Sequence, residues 1–181
     1  MKKTIAAVVM VIGFCTCTLA QYKNVPSLKD ETSMTYYLVH PLHEIESTSK
    51  DVSSVISVDA AAKKINAVSA TVDVMTFNSG NSNRDSHAME VIDAISFPEA
   101  SFTSTSVSSR NDSVWVTGKL TFHGVTREIT MNSQTQWSAH KVTIHAGFSI
   151  SLTAFQIERP ALLLVPVHDD LRFSLTTAYA L

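Results

Sequence analysis

The chain has 181 residues, 45% hydrophobic and only 17% charged, with a formal charge of −2. That length suits one domain, able to bury about 70% of its unfolded surface without a staple. The absence of any basic run excludes nucleic acid as an expected partner, and the Ser- and Thr-rich remainder suits the solvent faces of strands, so the expected class is all-β.

Met1-Lys2-Lys3 followed by the apolar run Ile5 to Phe14 reads as a secretory signal peptide. As a helix that run spans about 15 Å at ~1.5 Å per residue, half of a ~30 Å hydrocarbon core, so it does not read as a permanent anchor. Thr18 and Ala20 flank Leu19 as small residues do at a cleavage site, which places the cut after Ala20 and the product in the periplasm or outside the cell. Both cysteines, Cys15 and Cys17, fall inside this segment. From Gln21 onward there is no thiol, hence no disulfide framework and no Cys-based metal site. Phe14-Cys15-Thr16 before Cys17 does not match a lipoprotein signal.

Residues 21–34 lack periodicity and read as a flexible leader, with structure expected from about Thr35. Alternation then recurs: Val72 and Val74; Val114, Val116, Leu120 and Phe122; Ile129 and Met131; Val142 to Leu152 at every second position. One helix interrupts it, expected from Asn83 to Ala94 with Ser82 and Asp85 as a capping box and Ala88, Val91, Ile92 and Ile95 at helical spacing. Phe97-Pro98 returns the chain to extended geometry. Ser108 to Asp112 and Asp59 to Lys64 read as polar turns between antiparallel strands, and His123-Gly124 as a tight turn. Ala161 to Val165 is too apolar for a simple loop, and reads either as buried at a barrel end or as an apolar lip that meets ligand or membrane. The last strand places Leu171, Phe173, Leu175, Thr177, Tyr179 and Leu181 on one face, extending roughly 36 Å at ~3.3 Å per residue. Strands this long with one wet face favour a barrel.

Three motifs in order, Asn83-Arg84-Asp85-Ser86-His87, Phe97-Pro98 and Gly118 through Thr126, resemble those of YceI-like proteins. Tyr37 to His43 and Phe155 to Arg159 resemble the family more weakly. The resemblance spans residues 36–181 and implies an extended, lipocalin-like antiparallel barrel of eight strands, exported to the periplasm, that in some members encloses a polyisoprenoid. The sequence departs from the family pattern at His40 and Glu44, and in having no glycine between Ser47 and Ser57.

Apolar strand faces alone leave two readings of the interior, a solid core or a ligand cavity. The resemblance tips the balance to a cavity. Ala70, Ser104, Ala146 and Gly147 among large aromatics are compatible with unfilled space. Its expected lining is Val72, Val74, Phe97, Phe102, Val116, Leu120, Phe122, Ile129, Met131, Phe148, Ile150, Phe155, Phe173 and Leu175. A polyisoprenoid, isoprenoid quinone or similar lipid suits such a lining, because each buried CH₂ gains about 0.8 kcal/mol without directional partners. Asn83, Arg84, Asp85, His87 and His123 are the candidates for a polar head group at the mouth; the competing reading is a capped helix start and a turn. His40 with His43, and His140 with His145, are spaced to face opposite sides of a strand, so no metal is expected unless Pro41 makes a turn between the first pair. With no nucleophile elbow, phosphate-cradling loop or metalloprotease helix, no enzymatic activity and no cofactor are expected. The alternative function is a ligand-free barrel acting as a stress-related interaction module through the leucine surface, and an open edge strand would permit a homodimer.

Overall fold

The computed structural model describes residues 21–181, so the expected signal peptide lies outside the described residues. These residues form strands β1 (Lys23–Pro26), β2 (Ser33–His40), β3 (His43–Ser49), β4 (Val52–Asp59) and β5 (Lys64–Asp73), then helix α1 (Ser82–Val91). Strands β6 (Glu99–Arg110), β7 (Ser113–Phe122), β8 (Val125–Trp137) and β9 (Lys141–Ser151) follow. A short ribbon of β10 (Ala161–Leu162) and β11 (Val165–Pro166) precedes the last strand, β12 (Asp170–Ala180).

The main sheet is antiparallel and ten-stranded, in the order β1-β4-β5-β6-β7-β8-β9-β12-β2-β3, rather than eight-stranded as expected. The segment read as a flexible leader supplies one of the extra strands: β1 pairs with β4 and buries Val25 to 5% exposure. Its apolar content is too low to show periodicity, and the partner strand supplies the order. A two-residue turn at Pro41-Leu42 splits the first expected strand region into β2 and β3. The sheet curls so that elements near its two ends approach one another. After β1, Leu28 N–H donates to Ala178 O of β12 at 2.7 Å. On the β3 side, Thr48 and Asn78 exchange backbone hydrogen bonds of 3.1 and 3.0 Å, beside a 2.6 Å contact between the Ser49 and Thr76 hydroxyls.

Local chemistry accounts for the connections. His123-Gly124 joins β7 to β8 with φ of 49° and 70°, and a Cβ on Gly124 would lie 2.6 Å from the Phe97 ring. Positive φ at both positions is what a two-residue hairpin of matching twist requires. Helix α1 starts one residue earlier than the expected capping box: Asn81 is the N-cap, its side chain accepting from Arg84 N–H, while Asp85 instead accepts from Ser79 N–H. The helix ends at Val91, before the expected Ala94.

The interior has two zones. At one end Val25, Ile56, Val58, Ile65, Val142, Ile144 and Tyr179 pack solidly. There the Tyr179 hydroxyl, in a 1% exposed side chain, donates to Ser54 Oγ at 2.8 Å, and Ser54 Oγ donates onward to Ser69 O. Burial raises the Tyr179 phenol above its usual value near 10, and burial does the same to Tyr36. The fold holds both phenols neutral, so the unfolded chain ionises first. Their contribution to stability is complete below about pH 10 and is lost as pH rises through the higher folded values. Thermal unfolding followed against pH is expected to be insensitive to these groups up to about pH 10 and to weaken above it, and Tyr179→Phe to make that decline shallower. At neutral pH the same substitution removes one hydrogen bond at a cost of about 1 kcal/mol.

Candidate functional site

The other end of the interior is hollow. A cavity of about 550 Å³ lies between the sheet and α1, within the ~300–1,000 Å³ usual for small-molecule sites. Its walls come from the interior faces of β2, β5, β6, β8, β9 and β12 and the end of β7, with the half-buried side of α1 across them. Several wall side chains, among them Tyr36, Leu38, Ala100, Phe148 and Phe173, are only half-buried because their interior faces look onto this space. None of the residues packed at the opposite end lines it.

Of the expected lining residues, Val72, Val74, Phe102, Leu120, Phe122, Ile129, Met131, Phe148, Ile150, Phe173 and Leu175 all face the cavity. Phe148 and Phe173, neighbours on β9 and β12, stack with ring centroids 4.8 Å apart. Phe97, Val116 and Phe155 do not line it. Val116 is buried in the adjoining core at 5% exposure. Phe155 sits at 1% exposure in a tight turn after β9 and packs against Phe122, while Phe97 packs edge-on to His123 at 4.8 Å.

Asn83, Arg84, Asp85 and His87 reach the cavity, joined by Asn81. No Arg84–Asp85 ion pair forms. Both side chains turn to Ser79 instead, Arg84 Nε donating to its Oγ at 2.9 Å and Asp85 accepting from its N–H at 3.1 Å. The polar edge of the cavity is thereby fixed by the loop before the helix. His123 is not at this edge: Nδ1–H donates to Phe155 O at 3.0 Å, and the residue serves its turn. Tyr36, raised by burial and by the neighbouring Asp85 carboxylate, adds a neutral phenol to the wall. Opposite it on β3, the buried Ser47 Oγ lies beside the phenol and partly offsets that rise.

The first strands contribute lining that periodicity alone could have found. Met34, Tyr36, Leu38 and His40 alternate along β2, and all line the cavity. The turn at Pro41 does bring His40 and His43 opposite each other, with rings 5.2 Å apart. His40 is nonetheless engaged at both nitrogens: Nδ1 accepts from Leu42 N–H at 3.2 Å, which leaves Nε2–H to donate to Val165 O at 3.0 Å. Among the described residues no group of three or more His, Cys, Asp or Glu side chains is placed to hold a metal ion, and no helix is long and apolar enough to cross a membrane.

Comparison with known proteins places this architecture. The fold is shared with BcnA of Burkholderia cenocepacia (TM-score 0.76, 20% identity, 84% of this chain and 98% of that one). It is shared also with a polyisoprenoid binding domain from Saccharophagus degradans (TM-score 0.67, 14% identity, 88% and 99% covered) and with the YceI protein of Campylobacter jejuni (TM-score 0.66, 18% identity, 100% and 99% covered). In sequence the chain is 29% identical over 118 residues to Protein YceI of Salmonella arizonae, an alignment covering 61% of this chain and 62% of that relative. The model of the YceI-like domain matches residues 28–179, and the chain belongs to that family.

Proposed function

We propose that the protein is a non-enzymatic carrier or store of a long apolar lipid, a polyisoprenoid, isoprenoid quinone or similar molecule, held in the cavity beneath α1. The observation that carries this reading is a largely apolar cavity of about 550 Å³ that has a group of polar side chains, Asn81, Asn83, Arg84, Asp85 and His87, at the start of α1. Such an arrangement suits a ligand with a long hydrocarbon body and one polar end. Arg84, Asn83 and His87 are the groups nearest to hand for that end, Arg84 offering charged donors to a phosphate or quinone oxygen. The hydrogen bonds Leu28–Ala178 and Thr48–Asn78, with the Ser49–Thr76 hydroxyl contact, support a sheet wrapped around the ligand. The Saccharophagus degradans neighbour, a polyisoprenoid binding domain, supports the ligand class. The reading of residues 1–20 as a cleaved signal supports export to the periplasm.

A series of isoprenoid alcohols lengthened by five carbons at a time tests this by titration. Affinity is expected to rise with each unit while cavity wall remains to be covered, then to level off, since each further buried CH₂ contributes up to about 0.8 kcal/mol. Affinity independent of chain length would sink the reading. The ligand-free interaction module has the exposed leucines of the β10–β11 ribbon in its favour, but gives no account of the hollow end.

A further inference from the structure

The turn of the β10–β11 ribbon consists of Leu163-Leu164, with φ of 51° and 66°. A two-residue hairpin of this hand favours Asn-Gly, because both positions need positive φ, and leucine adopts it against the steric preference of its Cβ. Neither side chain is repaid by packing: Leu163 is 80% exposed and Leu164 96%. Strain and exposure both oppose folding, so stability does not account for leucine at these two positions. The surroundings are apolar as well. Leu162 and Val165 are exposed, and Leu42, 70% exposed, is held beside them by the His40 ring that bridges Leu42 N–H and Val165 O. Pro160, Ala161 and Leu162 also line the cavity, so the tip and the cavity share a wall.

We propose that this aliphatic tip inserts into the headgroup–acyl boundary of a lipid bilayer and so sets the cavity rim against the membrane. A bilayer fits the tip better than a protein does. The ribbon has two residues per strand, far short of the ~800 Å² per partner of a stable protein interface, and it presents no Trp, Tyr or Arg anchor. Insertion into lipid needs only apolar area. Charges of both signs flank the ribbon, Arg159 before it and Asp169 and Asp170 after it, so neutral phosphatidylcholine suffices and salt has little effect. The inference rests on the lipid-carrier reading for the traffic it serves: a ligand would pass between bilayer and cavity without its chain crossing water.

The full chain carrying Leu164→Trp, mixed with phosphatidylcholine vesicles, is expected to show a blue-shifted indole emission quenched by brominated acyl chains, above the Trp115 and Trp137 background of the parent. An emission unchanged by vesicles overturns the proposal. So does a shift that appears without vesicles and grows with protein concentration, which assigns the tip to a second copy. Leu163→Asn with Leu164→Gly keeps the turn and removes its apolarity. That variant is expected to load a fluorescent isoprenoid from vesicles at least tenfold more slowly, yet to take up the same probe from dispersion at the parent rate. Equal loading from vesicles overturns the proposal. Failure of the carrier reading looks different, because then neither route loads the probe while the introduced indole still reports insertion.

Discussion

Gly118→Ala is expected to destabilise the fold by about 2–3 kcal/mol, near the top of the usual range for overpacking a core. A Cβ at this position would lie 2.4 Å from Thr103 O, 2.5 Å from the tip of the Phe102 ring and 2.7 Å from Ser104 Cα. Two of those three atoms are backbone, so a rotamer change cannot relieve the clash. The register between β6 and β7 shifts beside this point, between Ser104 and Ser106, and the bare glycine lets the strands close there. For a chain of this size the loss corresponds to a fall of about 4–12 °C in Tm. Gly147→Ala is the matched control. Its added methyl would meet only Phe173 O at 3.8 Å, and removing a strand glycine tends to stabilise, so its Tm should hold or rise slightly. Thermal unfolding of the two variants side by side checks both statements.

Ala100→Trp is expected to abolish ligand binding while leaving the fold intact. Ala100 lies opposite Val72 on β5, is half-buried, and faces the cavity beside Phe102. An indole on this Cβ has the cavity to occupy and meets an apolar wall, so filling empty space should leave Tm unchanged or raise it. Affinity for a long isoprenoid alcohol should fall at least tenfold, equivalent to about 1.4 kcal/mol. Binding equal to that of the parent, with Tm also unchanged, would mean that the ligand sits elsewhere.

The contrast between these sites shows what sequence conveys about such a fold. Period-2 alternation in Leu171 to Leu181 identifies β12, and its interior face is the one observed for Leu171, Phe173, Leu175, Thr177 and Tyr179. Alternation also separates inside from outside along β7 and β9. It does not say whether an interior position touches another side chain or empty space. Val116 and Phe122 lie on one face of one strand, yet only Phe122 reaches the cavity. That distinction depends on position along the curled sheet, which the registers of neighbouring strands determine.

Other features are carried by partners remote in the chain. β1 has one buried apolar residue and reads as a loose leader until β4 supplies its hydrogen bonds. The role of His40 depends on Val165, 125 residues away. Phe97, His123 and Phe155 form a brace around the β7–β8 turn, although the aromatic character of Phe97 and Phe155 suggests lining. The leucine tip is the reverse case: the apolar run Ala161 to Val165 is plain in the sequence, but the backbone conformation that exposes it is not.

Around the ribbon, Asp169 secures the chain's return to β12. Its carboxylate is held below the usual value by the Ser151 hydroxyl and then by Thr153 N–H, which places this anchor's contribution above the ordinary carboxylate range and removes it as pH falls through the lower folded value. This anchor is therefore expected to be in place at neutral pH and to weaken as pH falls below the ordinary carboxylate range.

The most direct test of the lipid-carrier reading is to purify the protein without detergent and identify what accompanies it by native and solvent-extraction mass spectrometry. The account predicts one long isoprenoid-type lipid in near-stoichiometric amount, absent from Ala100→Trp. A ligand-free protein that also fails to take up added isoprenoids would contradict it.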